Sequence, residues 1–241
     1  FFERPLFSIT IVLLKYCLLA SLISLIHCLP ASAAPRPQEN ELHFWAPIYL
    51  HFPNYKRIYP LLEIQPRVGS DLKAVDQFLI RPSFEYEINK RTWLGAGYNW
   101  IDTYLPNQTI SQNWVWEEFG YRRDFGRLRL INRFRSEQRF IENASSMSLR
   151  LRHLARADYE LDNRGKWGLV FWSELFVNPY TVRNGPVSGI DQWRIFGGLR
   201  RNIHRNLNIE LGYQPVFINP RQPPIDRIQN AIFLRVDILM K

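Results

Sequence analysis

Cysteine is nearly absent. Cys17 and Cys28 are the only two in 241 residues, and both lie in the apolar N-terminal segment. Once that segment is removed, no disulfide, thiolate nucleophile or Cys-ligated zinc is possible. Long apolar runs are also missing beyond residue 30. A helical membrane span needs roughly 20 mostly apolar residues, so this distribution, with a mean hydropathy of −0.25, excludes a polytopic helical protein. Helical periodicity is missing too, since no window past residue 42 carries an i, i+3, i+4, i+7 apolar stripe. There is no Gly-rich phosphate loop, and Asp124-Phe125-Gly126 reads as a turn between strands. Beyond residue 33 the histidines His43, His51, His153 and His204 lack metal-ligand spacing, so no metal and no cofactor is expected.

What is present is aromatic and basic. Phe, Trp and Tyr make up 15% of the chain, and the formal net charge is +9. Residues 1–33 have the form of a secretory signal peptide. Arg4 and Lys15 supply positive charge, Tyr16 to Leu29 an apolar stretch, and Ala31-Ser32-Ala33 the small residues of a cleavage site. Pro35 argues against cutting after Ala34, so Ala34 is the expected mature N-terminus. An uncleaved anchor is the rival reading, opposed by the short run and by Pro30. A lipoprotein at Cys28 is opposed by His27. Because the chain opens on Phe1, further residues upstream are expected. A basic exported protein meets anionic lipid and solutes rather than nucleic acid.

From residue 42 the dominant period is two. Strands are expected at 42–52, 56–68, 76–88, 91–103, 113–123, 127–141, 147–161, 167–178, 190–203, 207–217 and 229–240, with 34–41 as a lead. Connections tend to alternate, the longer ones at 69–75, 104–112, 179–189 and 218–228. Strand 147–161 sets Met147, Leu149, Leu151, Ala155, Ala157, Tyr159 and Leu161 against Arg150, Arg152, Arg156, Asp158 and Glu160. Long strands, alternating polarity and unequal connections predict an all-β fold, a single antiparallel up-and-down transmembrane β-barrel over 42–241. A secreted sandwich or lipocalin-like barrel has the same period with the polar face outward. Single-chain bacterial barrels have an even strand number with both ends on one side. Twelve strands are therefore expected, ten as the fallback, with the uncertain region near 35–60. Trp93, Trp100, Trp114, Trp116, Trp167 and Trp193 are expected in interfacial belts.

The polar parity carries a cluster: Arg129, Arg133, Arg135, Glu137 and Arg139 on one strand, Arg150, Arg152 and Arg156 on the next, then Glu174, Arg194 and Glu210. Inside a barrel these form a charged girdle. One reading is an anion-selective constriction, which makes a small anionic solute a possible partner. The other is a ladder of Arg–Glu pairs plugging the lumen, since buried charges must be paired. The narrow lumen of ten to twelve strands favours the plug. Catalysis has one thin motive: a three-residue turn at Asp162-Asn163-Arg164 would set His153 opposite Ser173 on the outer parity. A lipase or lipid A deacylase could use such a pair. A non-enzymatic barrel, structural or passing small solutes, is the preferred reading.

Trp45, Glu63, Arg67, Gly95-Ala96-Gly97-Tyr98, Asn132-Arg133-Phe134-Arg135-Ser136-Glu137-Gln138-Arg139, Arg150-Leu151-Arg152, Trp172-Ser173-Glu174-Leu175-Phe176, Arg194-Ile195-Phe196-Gly197-Gly198-Leu199 and Glu210-Leu211-Gly212-Tyr213 follow in that order. The series, spanning about 42–240, resembles an uncharacterised bacterial outer-membrane β-barrel family catalogued as a domain of unknown function. The resemblance implies the outer membrane of a Gram-negative bacterium. Its partners would be outer-membrane lipids, lipopolysaccharide and the barrel-assembly machinery. No catalytic residue comes with it.

Overall fold

A computed structural model of the chain describes residues 38–69, 71–218 and 226–241. The expected signal peptide, its cleavage site and both cysteines lie outside the described residues. Among those described there are strands and no helix. The strands are β1 (Gln38–Trp45), β2 (Ile48–His51), β3 (Ile58–Gly69), β4 (Ala74–Asn89), β5 (Thr92–Leu105), β6 (Gln108–Phe125), β7 (Leu128–Ile141), β8 (Ser148–Glu160), β9 (Trp167–Asn178), β10 (Gly189–His204), β11 (Leu207–Ile218) and β12 (Asp226–Leu239). Each period-two segment of the sequence lies on one of these strands, with ends shifted by a few residues, except 42–52, which is divided between β1 and β2.

Twelve strands form one closed sheet, but β1 and β2 share a single place in its wall. Both run beside β12 in parallel, Phe44 opposite Ile232 and Leu50 opposite Ile238. Both also pair antiparallel with β3, Trp45 opposite Arg67 and Leu50 opposite Leu62. Pro47 divides them because it has no N–H to give the ladder. The backbone nonetheless stays in line, with Pro47 O accepting from Val236 N at 2.9 Å and Ala46 N donating to Pro66 O at 3.2 Å. Eleven strand positions therefore go round the wall. An odd number of alternating strands leaves the first and last pointing the same way, so closure is parallel. The start of β1 and the end of β12 then lie at opposite ends of the barrel, which corrects the expectation of both on one side.

Two connections also differ from expectation. The stretch 104–112 is almost wholly strand, with only residues 106–107 between β5 and β6. Between β8 and β9 the turn is longer than three residues, because Leu161 N bonds Trp167 O at 2.9 Å and encloses 162–166. The Asp162 carboxylate accepts from the backbone N–H of Arg164, Lys166 and Trp167 at 2.8, 3.1 and 2.6 Å. Gly165 supplies a positive φ of 63°. These bonds, Trp167's foremost, hold the Asp162 carboxyl below the usual carboxylate range.

Parity holds along the wall except at bulges such as the one at Asp191. Phe134 is 53% exposed, whereas Arg135 and Glu137 on the same strand are 6% and 0% exposed. Inside, Trp172, Phe196 and Phe233 stack or meet edge-on at centroid distances of 5.3 to 6.0 Å, with Trp45, Val170, Val216 and Ala231 around them. The Phe196 ring lies over the backbone of Gly198 and Gly212, where a Cβ would come within 2.6 and 2.7 Å of it.

Two predictions follow from this geometry. A Leu50→Cys, Ile238→Cys pair should oxidise to a closed, cross-linked barrel, as parallel partners lie within disulfide reach. Failure of that pair while Leu50→Cys, Leu62→Cys cross-links would refute parallel closure. At the 162–166 turn, a lowered carboxyl pKa stabilises the fold above the ordinary carboxylate range and ceases to do so as pH falls through the lowered value. Asp162→Ala should therefore speed amide exchange at Arg164, Lys166 and Trp167 near neutral pH, and the difference from the parent should vanish in strong acid.

Candidate functional site

The inward parity of β6, β7, β8 and β9 builds a continuous ionic network. At its centre Glu137 is fully buried. It receives Arg150 Nε at 2.7 Å and Nη2 at 2.6 Å on one oxygen and Arg152 Nη1 on the other. Arg152 reaches across to Glu174 at 2.7 Å, where Arg133 also donates at 2.8 Å. Arg135 binds Glu118 at 2.6 and 2.9 Å, with Arg133 3.5 Å from the same oxygen. Arg150 continues to Asp191 at 3.2 Å, and Arg139 holds Asn178 at 3.1 Å with Asp191 3.9 Å away. Arg156 pairs with Asp158 at 2.9 Å and with Glu210.

Alternation explains this convergence. In an antiparallel pair, directly opposed residues share a face, so Glu137 opposite Arg150 and Glu118 opposite Arg135 meet as cross-strand partners. A guanidinium forks toward two oxygens or two carboxylates, which suits Arg rather than Lys to such a chain. Aromatic rings complete the wall. Arg135 lies 3.7 Å over Trp116, and Phe176 is faced by Arg150, Arg152 and Arg194 at 5.0, 4.5 and 4.4 Å.

Two of the expected members stand apart. Arg129 lies near the turn and pairs with Asp124 at 2.6 Å, both largely exposed. Arg194 is inside, opposite Glu174 in register, yet it bonds only Gln192. Sequence reading missed Glu118, Asp191, the Arg81–Glu63 pair at 2.6 Å and the Arg235–Asp237 pair at 2.7 Å. All but Asp191 share the period-two signal that exposed the rest. Three of the six tryptophans assigned to interfacial belts are instead inside. Trp93 donates to Glu118 at 3.2 Å, Trp116 donates to Asn99 at 3.0 Å, and Trp114 lies 4.6 Å beneath Arg150. Trp100, Trp167 and Trp193 do lie on the outer parity.

The Ser–His pair does not form. The five-residue turn shifts register by two, so His153 faces Leu175 and Ser173 faces Ala155. His153 stacks on Phe134 at 4.4 Å, and Ser173 Oγ accepts from the Trp193 indole at 2.9 Å. This arrangement gives the serine no base. Among the described residues no cluster of three or more His, Cys, Asp or Glu is placed to hold a metal ion.

The interior has three spaces. One, of about 820 Å³, lies at the end bearing 106–107 and 142–147; another, of about 860 Å³, lies at the end bearing Lys166 and His204. A waist of about 190 Å³ lies between them, sharing Arg67, Arg152 and Arg194 with the first and Glu118, Arg133 and Arg156 with the second.

The network can be tested by breaking it. Removing one partner of a buried pair costs on the order of 3–5 kcal/mol, so Glu137→Ala and Glu174→Ala should each lower barrel stability by about that much. Asp124→Ala, at an exposed pair, should change it by less than about 1 kcal/mol. Denaturant unfolding monitored by tryptophan fluorescence makes the comparison, and equal effects at the three sites would contradict the network.

Comparison with known proteins gives a family and no activity. The family described as "Protein of unknown function (DUF2490)" matches residues 42–227. An uncharacterised protein of Methylorubrum extorquens is 29% identical over 156 residues, covering 63% of this chain and 68% of that protein. No solved structure matches the chain.

Proposed function

The chain belongs to the DUF2490 family of proteins of unknown function, and from that premise we propose that it is a bacterial outer-membrane β-barrel, structural at rest, with an ion-paired interior. The observation that carries this reading is inverted polarity. Phe84, Phe119, Phe134, Leu151, Phe171 and Leu211 are each between 45% and 53% exposed on the outer wall, while Glu137, Arg150, Arg152 and Glu174 are at most 7% exposed within. A water-soluble barrel has the reverse arrangement. Lipid rewards it, and a closed sheet leaves no unpaired edge in the hydrocarbon.

Residues 1–33 serve as the export signal, with Ala34 the mature N-terminus. The barrel-assembly machinery inserts the chain, and its outer contacts are lipids and lipopolysaccharide. The waist supports a plugged barrel rather than an open pore, because paired guanidinium and carboxylate groups and the Trp172, Phe196, Phe233 cluster occupy the space between the two vestibules. Passage of small solutes is the second reading, favoured by the size of the vestibules. Hydrolysis of lipid has lost its motive with the register of His153 and Ser173.

In an outer-membrane fraction the protein should show heat-modifiable gel mobility, and Phe134→Cys should react with a lipid-phase thiol probe while Arg135→Cys does not. Recovery as a soluble periplasmic protein, or the opposite labelling pattern, would overturn the location. In a planar bilayer the parent protein should give no steady conductance; an ohmic current would contradict the closed waist.

A further inference from the structure

The waist is lined by eight arginines, and six of them, Arg81, Arg133, Arg135, Arg152, Arg156 and Arg235, have a carboxylate within ion-pair distance. Arg67 and Arg194 have none among the described residues. Arg67 donates Nη1 to Gln77 at 2.8 Å and Nη2 to Gln65 at 3.1 Å, both neutral amide oxygens. Arg194 spends Nε and Nη2 on a single oxygen of Gln192, at 3.2 and 2.7 Å. Their guanidinium carbons lie 3.9 and 5.1 Å from the centroid of the same ring, Trp45. That shared ring sets the two guanidinium groups on one aromatic side chain, each without a carboxylate at ion-pair distance.

The neighbouring acids are already engaged. Glu41 and Asp76 flank His43 at 3.1 and 3.3 Å, and Asp191 faces Arg150 and Arg139. Two buried donors at the same place have no protein acceptor: Arg67 Nε and the indole Nε1 of Trp45, whose residue is 3% exposed. All three residues border the vestibule of about 820 Å³, a volume of the order that small-molecule sites occupy. The other six arginines of the waist are all paired, and pairing is the condition on which interiors accept buried charge.

We propose that this vestibule is a binding site for a small solute bearing a phosphate or carboxylate group, which Arg67 and Arg194 hold beside Trp45. The oxyanion supplies the missing counter-charge and accepts from the guanidinium forks, the geometry in which Arg recognises such groups. The arginine and tryptophan come from β1, β3 and β10, brought together because the wall closes β1 against β3 and carries β10 to the facing side. The inference uses the barrel interior and not its location. Binding in detergent is read on the barrel alone, so failure here and failure of the outer-membrane reading are separate outcomes.

Isothermal titration of the purified barrel with inorganic phosphate and, separately, succinate, at ionic strength held constant with chloride, tests the proposal. Saturable binding at one site is expected with at least one of the two anions, and which one binds identifies the group preferred. Glucose should not bind. Arg67→Gln and Arg194→Gln should each weaken binding on the order of tenfold, the loss expected when a hydrogen bond to a charged group is removed. Arg205→Gln, at the opposite end, should leave it unchanged. Arg67→Lys and Arg194→Lys keep the charge without the planar fork and should also weaken binding, which retains the test if the glutamine variants do not fold. No saturable heat with either anion, or undiminished affinity in the Arg67 and Arg194 variants, would overturn the site.

Discussion

Pairing of guanidinium with carboxylate across adjacent strands is the constraint on which the rest of the barrel depends. A wall that turns its apolar face outward must turn its polar face in, and the waist, of about 190 Å³, leaves little room for water to solvate charge. Each inward charge is tolerable only where a partner stands opposite or diagonal to it. The choice of cation follows. Lys56, Lys73, Lys90 and Lys166 all lie in connections and Lys241 at the chain end, so the cations of the strands are Arg and His. Lysine presents a point charge that wants water, whereas Arg152 joins Glu137 and Glu174 through one planar group and lies against Phe176 besides.

The interior is divided between two kinds of packing. On the side of β6 to β9 the filling is ionic, centred on Glu137 and Glu174. On the side of β9 to β12 and β1 it is aromatic, centred on Trp172, Phe196 and Phe233. Phe176 and Trp45 stand at the border, each with guanidinium groups over its ring. A ring face stabilises a cation without the desolvation cost of adding a carboxylate. These border rings let the ionic side meet the apolar side without a water-filled gap, which is why the waist is narrow while both ends are open.

Much of this was legible in the sequence. Period two survives wherever one face of a strand is buried and the other is not, so the segments and the parity of Arg133, Glu137, Arg152 and Glu174 could be read directly. Glu118 and Asp237 carry the same signal and were passed over. Register was not legible at 161–167: whether three or five residues make the turn depends on how many backbone N–H groups the Asp162 side chain gathers, a local choice that periodicity does not record. Trp93, Trp114 and Trp116 were misread for a different reason. Belts are a rule about depth along a strand, and Trp114 and Trp116, on the same face as Glu118, could not reach a belt whatever their depth. Periodicity marked eleven segments, the number of places in the wall; the even count of known barrels moved the expectation to twelve, and Pro47 divides one strand without adding a place.

The seam where β12 meets β1 and β2 is the line along which the wall is least regular. The ladder there is parallel, whose bonds are slanted and slightly weaker per residue than antiparallel ones, and it loses a donor at Pro47. Trp45, two residues before Pro47, fills the interior behind that gap, opposite Arg67 in register and beneath Arg194. The one pair of waist arginines without counter-charge is thus set against the weakest part of the wall. Neither guanidinium has a carboxylate within ion-pair distance among the described residues, and the ring face of Trp45 is what both lie against. The β6 to β9 network offers no such place, because each of its central guanidinium groups at Arg133, Arg135, Arg150 and Arg152 already faces a carboxylate.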